Sequence, residues 1–148
     1  MKILIKVFVL IFFALGVTAC GSETKINPNS DESKLIIDEE RTLVTLYVLL
    51  ENENRKKAGP FYAKFIIYDE TLQDAIGAEV VDFTAEDGKK QPFFIDGSNS
   101  FFLSESFYYE AELDNEELVN MVEVVISDEN EMEILQFLIS NIEKYEAP

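Results

Sequence analysis

The side chains available for chemistry in this chain are mostly carboxylates. Its 148 residues carry 29 Asp and Glu against 12 Lys and Arg, with one cysteine, Cys20, and no histidine. Without an imidazole, the usual Ser–His–Asp arrangements and His-ligated zinc centres are unavailable. No Gly-x-Ser-x-Gly elbow, phosphate-binding loop or Gly-x-Gly-x-x-Gly turn occurs. Composition leaves a Ser–Lys dyad open, with no motif in its favour. A glycosidase needs two carboxylates facing across a cleft, one with a raised pKa; here the abundant acids read as solvated faces. Asp114-Asn115-Glu116-Glu117 and Asp128-Glu129-Asn130-Glu131 are rich in oxygen ligands. Neither has the mid-loop Gly and distant Glu of an EF-hand, and they flank opposite ends of one predicted strand, so they read as polar turns. These residues predict no metal and no cofactor, and enzymatic function is the reading they support least.

Charge narrows the partners. Lys2 and Lys6 are the only charged side chains before Cys20, and the rest holds 10 basic against 29 acidic side chains, a net −19. Such a surface repels phosphates, which predicts no nucleic-acid partner. It also repels anionic lipid head groups, so the folded part should stand off a membrane. Arg55-Lys56-Lys57 is the one basic cluster. It is expected at the same end of the domain as Asp96–Asn99 and Asp128–Glu131, as a solvated loop or as a tip that recruits a partner. The doubled aromatics Phe93-Phe94, Phe101-Phe102 and Tyr108-Tyr109 place one ring on each side of a sheet. Where both sheet faces are covered, the rings serve the core, which is the favoured use. Where a sheet face is uncovered, some rings are exposed and mark a partner surface.

These side chains need a location. Met1–Lys6 is a short start with two positive charges, Val7–Leu15 is an unbroken apolar run, and Gly16-Val17-Thr18-Ala19 is small and turn-prone. That order is the pattern of a secretory signal. Lys6 cuts the apolar run short of the roughly 20 residues a membrane-spanning helix needs. Val17-Thr18-Ala19-Cys20, followed by Gly21-Ser22, resembles the lipobox of bacterial lipoprotein precursors. The resemblance implies cleavage before Cys20 and a diacylglycerol on its sulfur. It implies an extracytoplasmic protein held at the cell membrane, or at the outer membrane where one exists, since position 21 is not Asp. Two acyl chains anchor stably where one does not, at about 0.8 kcal/mol per buried CH₂.

The elements that would carry everything else follow Cys20. Residues 20–33 are polar, with Pro28 and almost nothing apolar; they cannot bury enough surface to offset chain entropy and predict a flexible tether. From Lys34 the pattern is period-two alternation broken by turn residues, which predicts strands. Leu35–Ile37 is a short one. Thr42–Leu50 is apolar on both faces and should be central. Phe61–Tyr68 follows a loop closed by Gly59-Pro60, and Leu72–Ile76 predicts a helical turn. Ala78–Thr84 and Gln91–Ile95 flank Asp87-Gly88 and predict a hairpin. Ser100–Leu113 and Leu118–Ser127 alternate clearly. Met132–Tyr145 fits a helical face through Ile134, Leu135, Leu138 and Ile142, and also fits a strand; a sandwich needs a closing strand there.

About seven short strands with frequent turns predict an all-β, immunoglobulin-like antiparallel β-sandwich over residues 34–148, after a signal over 1–19 and a lipidated linker over 20–33. Lys34–Lys144 is similar to the Ig-like domains of small bacterial lipoproteins. The functional expectation is a lipid-anchored envelope binding or accessory protein without catalysis, with an envelope protein as the candidate partner. The alternative is a surface domain with no dedicated ligand.

Overall fold

The computed structural model describes residues 26–85, 87–110, 112–114 and 116–145. The predicted signal and Cys20, the predicted lipid attachment site, lie outside the described residues. The elements are β1 (Ile26–Pro28), β2 (Lys34–Asp38), β3 (Leu43–Asn52), β4 (Ala58–Ile67), α1 (Glu70–Ile76), β5 (Val80–Asp82), β6 (Phe93–Ile95), β7 (Ser100–Tyr108), β8 (Val122–Ser127), β9 (Glu133–Leu138) and β10 (Asn141–Tyr145). They form two packed sheets, so the domain is an all-β sandwich. In sheet one, β7 lies on one side of β3, with β1 and β2 end to end on the other and β10 beyond β2. In sheet two, β5 and β6 lie end to end along β4, followed by β8 and β9. Consecutive strands β3 and β4 lie in opposite sheets, as do β7 and β8, which is the immunoglobulin-like order.

Alternation explains the core. Val44, Leu46, Val48 and Leu50 of β3 are fully buried, as are Phe65 and Ile67 of β4 and Val124 and Ile126 of β8. Each such side chain contributes roughly 1.5–3 kcal/mol of burial. Phe93 joins the sheets near one end, stacked on Phe101 at 4.9 Å between centroids and tilted on Phe61 at 5.7 Å. The predicted helical turn is α1. The Asp69 carboxylate caps it by accepting from Leu72 N at 2.7 Å, and Gly77 ends it at φ 80°, a left-handed conformation suited to glycine.

Several boundaries differ from expectation. Residues 26–33, expected in the tether, belong to the folded domain: Ile26–Pro28 pairs with Leu50–Asn52, and Ile26 is buried. Hydrogen bonds order the polar turn that follows. Ser33 Oγ donates to Asn29 O at 2.8 Å and accepts from Leu49 N at 3.1 Å, and Asn29 Nδ2 donates to Glu51 at 2.8 Å. Composition measured too little apolar surface and missed these polar bonds.

The predicted hairpin around Asp87-Gly88 also changes form. Its arms run in the same direction along β4 and meet only at an isolated bridge, Thr84 with Lys90. Both arms pair with β4 instead of with each other: Phe83 N donates to Ala63 O at 2.9 Å, and Phe93 and Ile95 are buried beside β4. The strand predicted to Leu113 stops at Tyr108, and the one predicted from Leu118 starts at Val122. Leu118 is buried outside any strand, and Asn120 turns at φ 62°. Met132–Tyr145 forms two strands, the extended alternative. The chain crosses between sheets at Ile139, and β10 then runs parallel to β2, the one departure from antiparallel pairing among the described strands.

Candidate functional site

The register of β3 and β7 builds one uncovered face. Inward residues of β3 are even-numbered, so Leu43, Thr45, Tyr47 and Leu49 project from the outer face of sheet one. They stand opposite Tyr108, Ser106, Ser104 and Phe102. The Tyr47 ring stacks on Phe102 with centroids 6.1 Å apart and planes 18° from parallel. Phe102 remains 62% exposed and Tyr108 79% exposed. The Thr45 and Ser106 hydroxyls bond at 2.8 Å between these rings. The far side of the same face is ionic. Lys34 and Glu143 pair at 2.5 Å, and their hydrogen bond holds the Glu143 carboxyl below its usual range and raises the Lys34 ammonium. Tyr145 also donates to Glu143. The face therefore grades from aromatic at β7 to charged at β10.

Each doubled aromatic splits as its alternation predicts. Phe93 and Tyr109 are buried and Phe101 packs against the core. Phe94, Phe102 and Tyr108 are exposed. Phe94 lies apart from the other two, beneath Lys57, whose ammonium sits 4.7 Å from the ring centroid.

The basic loop Arg55-Lys56-Lys57 lies beside Asp96–Asn99, as expected. Ser98 N donates to Asn54 O at 2.8 Å, and Lys57 and Asp96 approach to 4.0 Å. Gly97 packs so closely that a Cβ there would overlap the Arg55 carbonyl. Asn52, missed by the sequence reading, ties these loops together. It is 2% exposed; its Nδ2 donates to Lys56 O at 2.9 Å and Ile95 O at 3.0 Å, and its Oδ1 accepts from Asn54 N at 3.0 Å. A polar residue at a strand end, followed by a loop that must return, was the available signal. The Asp128–Glu131 turn makes no bond to the basic loop among the described residues.

The oxygen-rich loops serve as turns. Asp128 Oδ1 accepts from Asn130 N and Met132 N at 2.8 and 2.9 Å, and Asp114 Oδ1 accepts from Glu116 N at 2.9 Å. Among the described residues no group of three or more Cys, Asp or Glu is placed to hold a metal ion. A depression of about 210 Å³ on sheet two is lined by Tyr62, Lys64, Asp82, Lys90 and Glu133. Both lysines are paired, Lys64 with Glu133 at 3.4 Å and Lys90 with Asp82 at 3.3 Å, and Glu131 adds a third carboxylate to the lining. Among the described residues no helix is long and apolar enough to cross a membrane.

No protein-family model matches the chain, and a search of curated proteins finds no match. Solved structures align at low similarity, three of them as follows. The ligand-binding region of serine-glutamate repeat protein A of Enterococcus faecium is 10% identical, with 83% of this chain and 99% of that chain covered and a TM-score of 0.40. A Niemann-Pick type C2 protein from Japanese carpenter ant is 13% identical, with 85% and 96% covered and a TM-score of 0.34. The alkylpurine DNA glycosylase AlkC of Pseudomonas fluorescens is 10% identical over 82% of this chain, at a TM-score of 0.39. The chain spans only 30% of that glycosylase's length. Likeness at this level transfers no ligand or activity to this protein.

Proposed function

We propose that this protein is a non-catalytic binding module of the cell envelope, secreted and then anchored through diacylglycerol on Cys20. Its partner is a neighbouring envelope protein, and anchoring raises the effective concentration of each toward the other. The observation that carries the binding reading is the Tyr47–Phe102 stack left open on the outer face of sheet one, with Leu49 opposite Phe102. The stack also stabilises the β3–β7 pair, and with Phe102 62% exposed it presents apolar surface of the kind that marks interaction sites. Exposed stacked aromatics are the side chains that dominate binding energy at interfaces.

Five residues, 21–25, separate Cys20 from β1. A chain of that length reaches at most about 20 Å, so the sandwich would be confined close to the bilayer. Replacing Phe102 by a photoreactive amino acid tests the reading in intact cells, with Gln136 on the outer face of sheet two as the control position. Protein adducts at position 102 and none at 136 are expected. Equal adducts at both positions, or none at 102, would overturn it.

A further inference from the structure

The edge of sheet one beside the aromatic stack is open. Asn52 N donates to Asn99 O at 2.9 Å and Tyr109 N to Thr42 O at 3.1 Å, just beyond the two ends of the β3–β7 register. Bonded pairs alternate along an antiparallel ladder. The odd-numbered residues of β7 therefore bond to β3, and Ser100, Phe102, Ser104, Ser106 and Tyr108 direct their N–H and C=O groups outward. Among the described residues no backbone hydrogen bond reaches that side of β7. In the four-stranded sheet of an immunoglobulin constant-type sandwich, another strand occupies this place.

Edges are normally protected by shortness, charge or proline. β5 has three residues. β10 has five, including Glu143 and Lys144. β9 has six and a register shift against β8, and its Glu133 is paired with Lys64. β7 has nine residues, no proline, and no charged side chain at its outward positions. Among the described strands it is the longest edge; the inward Glu105 and the approach of α1 beside Tyr108 leave the outward groups of Ser100–Ser106 uncovered.

We propose that the free edge of β7 is a strand-addition site for an extended segment of another protein, pairing antiparallel with Ser100–Tyr108 and carrying Lys or Arg at its N-terminal end. This deepens the binding reading above by naming the form of the partner. Backbone groups at every second residue demand an extended strand. Charge chooses its source and direction. The chain beyond Cys20 carries −19, so a second copy is repelled and a basic segment is attracted. Asp74 and Glu110 line an open depression with Tyr108, at the end where an antiparallel segment begins. Alternate side chains of the added strand would extend the uncharged row of Phe102, Ser104 and Ser106.

The probe is a labelled peptide as long as β7, two lysines followed by alternating threonine and valine, titrated by fluorescence anisotropy against the full chain in detergent. Saturable binding is expected, with hydrogen-exchange protection confined to Ser100–Tyr108. N-methylating the peptide on the residues that face β7 should weaken binding about tenfold or more, since each lost hydrogen bond contributes to affinity. Moving the lysines to the other end should weaken it and reduce its salt dependence. Ser104→Pro removes an outward N–H and leaves the bonds to β3 in place. It should match the effect of methylation with the circular dichroism spectrum unchanged. The methylated peptide keeps the test decisive if that variant misfolds. Absence of saturable binding, equal affinity for the methylated peptide, or protection elsewhere would overturn the proposal. Self-association of the chain that Ser104→Pro abolishes would assign the edge to a second copy and overturn it too. Loss of peptide binding while adducts persist at position 102 sinks strand addition alone; loss of the adducts while the peptide still protects β7 sinks the aromatic-face reading alone.

Discussion

Asn52 should be the most sensitive polar position in the domain. Its amide sits where β3, the basic loop and β6 converge, 2% exposed. Asn52→Ala removes the donor for Lys56 O and Ile95 O and the acceptor for Asn54 N. A net hydrogen bond contributes about 1 kcal/mol, and a buried carbonyl left unpaired costs about 1–3 kcal/mol more. The Ile95 carbonyl is buried, so the loss should total about 3 kcal/mol. At this domain size that lowers Tm by roughly 10 °C. Asn52→Asp is the sharper test, because it faces a carboxylate toward carbonyl oxygens and has no amide donor. Its folded-state pKa should rise above the unfolded value, so its deficit should shrink as pH falls through that raised pKa. Urea titration followed by circular dichroism, at several pH values, reads both variants. An Asn52→Ala variant within about 0.5 kcal/mol of wild type, or an Asn52→Asp deficit that does not change with pH, would refute the reasoning.

Other variants probe the remaining elements. Ile26→Ser should cost about 2 kcal/mol, since Ile26 is the buried anchor of β1; a neutral result in urea titration would return residues 26–33 to the tether. Phe65→Ala should cost about 3–5 kcal/mol by cavity formation between the sheets, checked by calorimetry. Burial raises the Glu105 carboxyl pKa, with a hydrogen bond from the Thr84 backbone opposing the shift. The folded pKa then exceeds the unfolded one, so folding gains stability as pH falls through it. Glu105→Gln should be slightly more stable than wild type at neutral pH, with the difference vanishing in acid; thermal melts across pH would show it.

The sandwich was legible because its strands alternate cleanly. Val44, Leu46, Val48 and Leu50 announce one buried face, and Phe101 with Leu103 announces another. Where polar groups set the structure, the fold was not legible. Asn29 and Ser33 organise the turn between β1 and β2 by side-chain hydrogen bonds, which hydropathy does not register. The arms of the predicted hairpin pair with β4, a long-range choice that local turn residues do not record, although Asp87-Gly88 still lies in a turn, with Gly88 N donating to Ala85 O at 2.8 Å. For the site, the doubled rings gave Phe102 and Tyr108 as candidates. Tyr47 and Leu49 were hidden, because an apolar pattern on both faces of β3 reads as burial on both. Only the sheet order shows that nothing in the described domain covers the second face. The open edge of β7 was equally hidden, since an absent neighbouring strand leaves no mark in the sequence of the strand it would have joined.

Metabolic labelling with palmitate tests the account most directly, because the binding reading places the domain at a membrane through Cys20. The wild-type chain should take up label and fractionate with membranes, and Cys20→Ser should lose both properties. A wild-type chain that stays unlabelled and soluble would contradict the account.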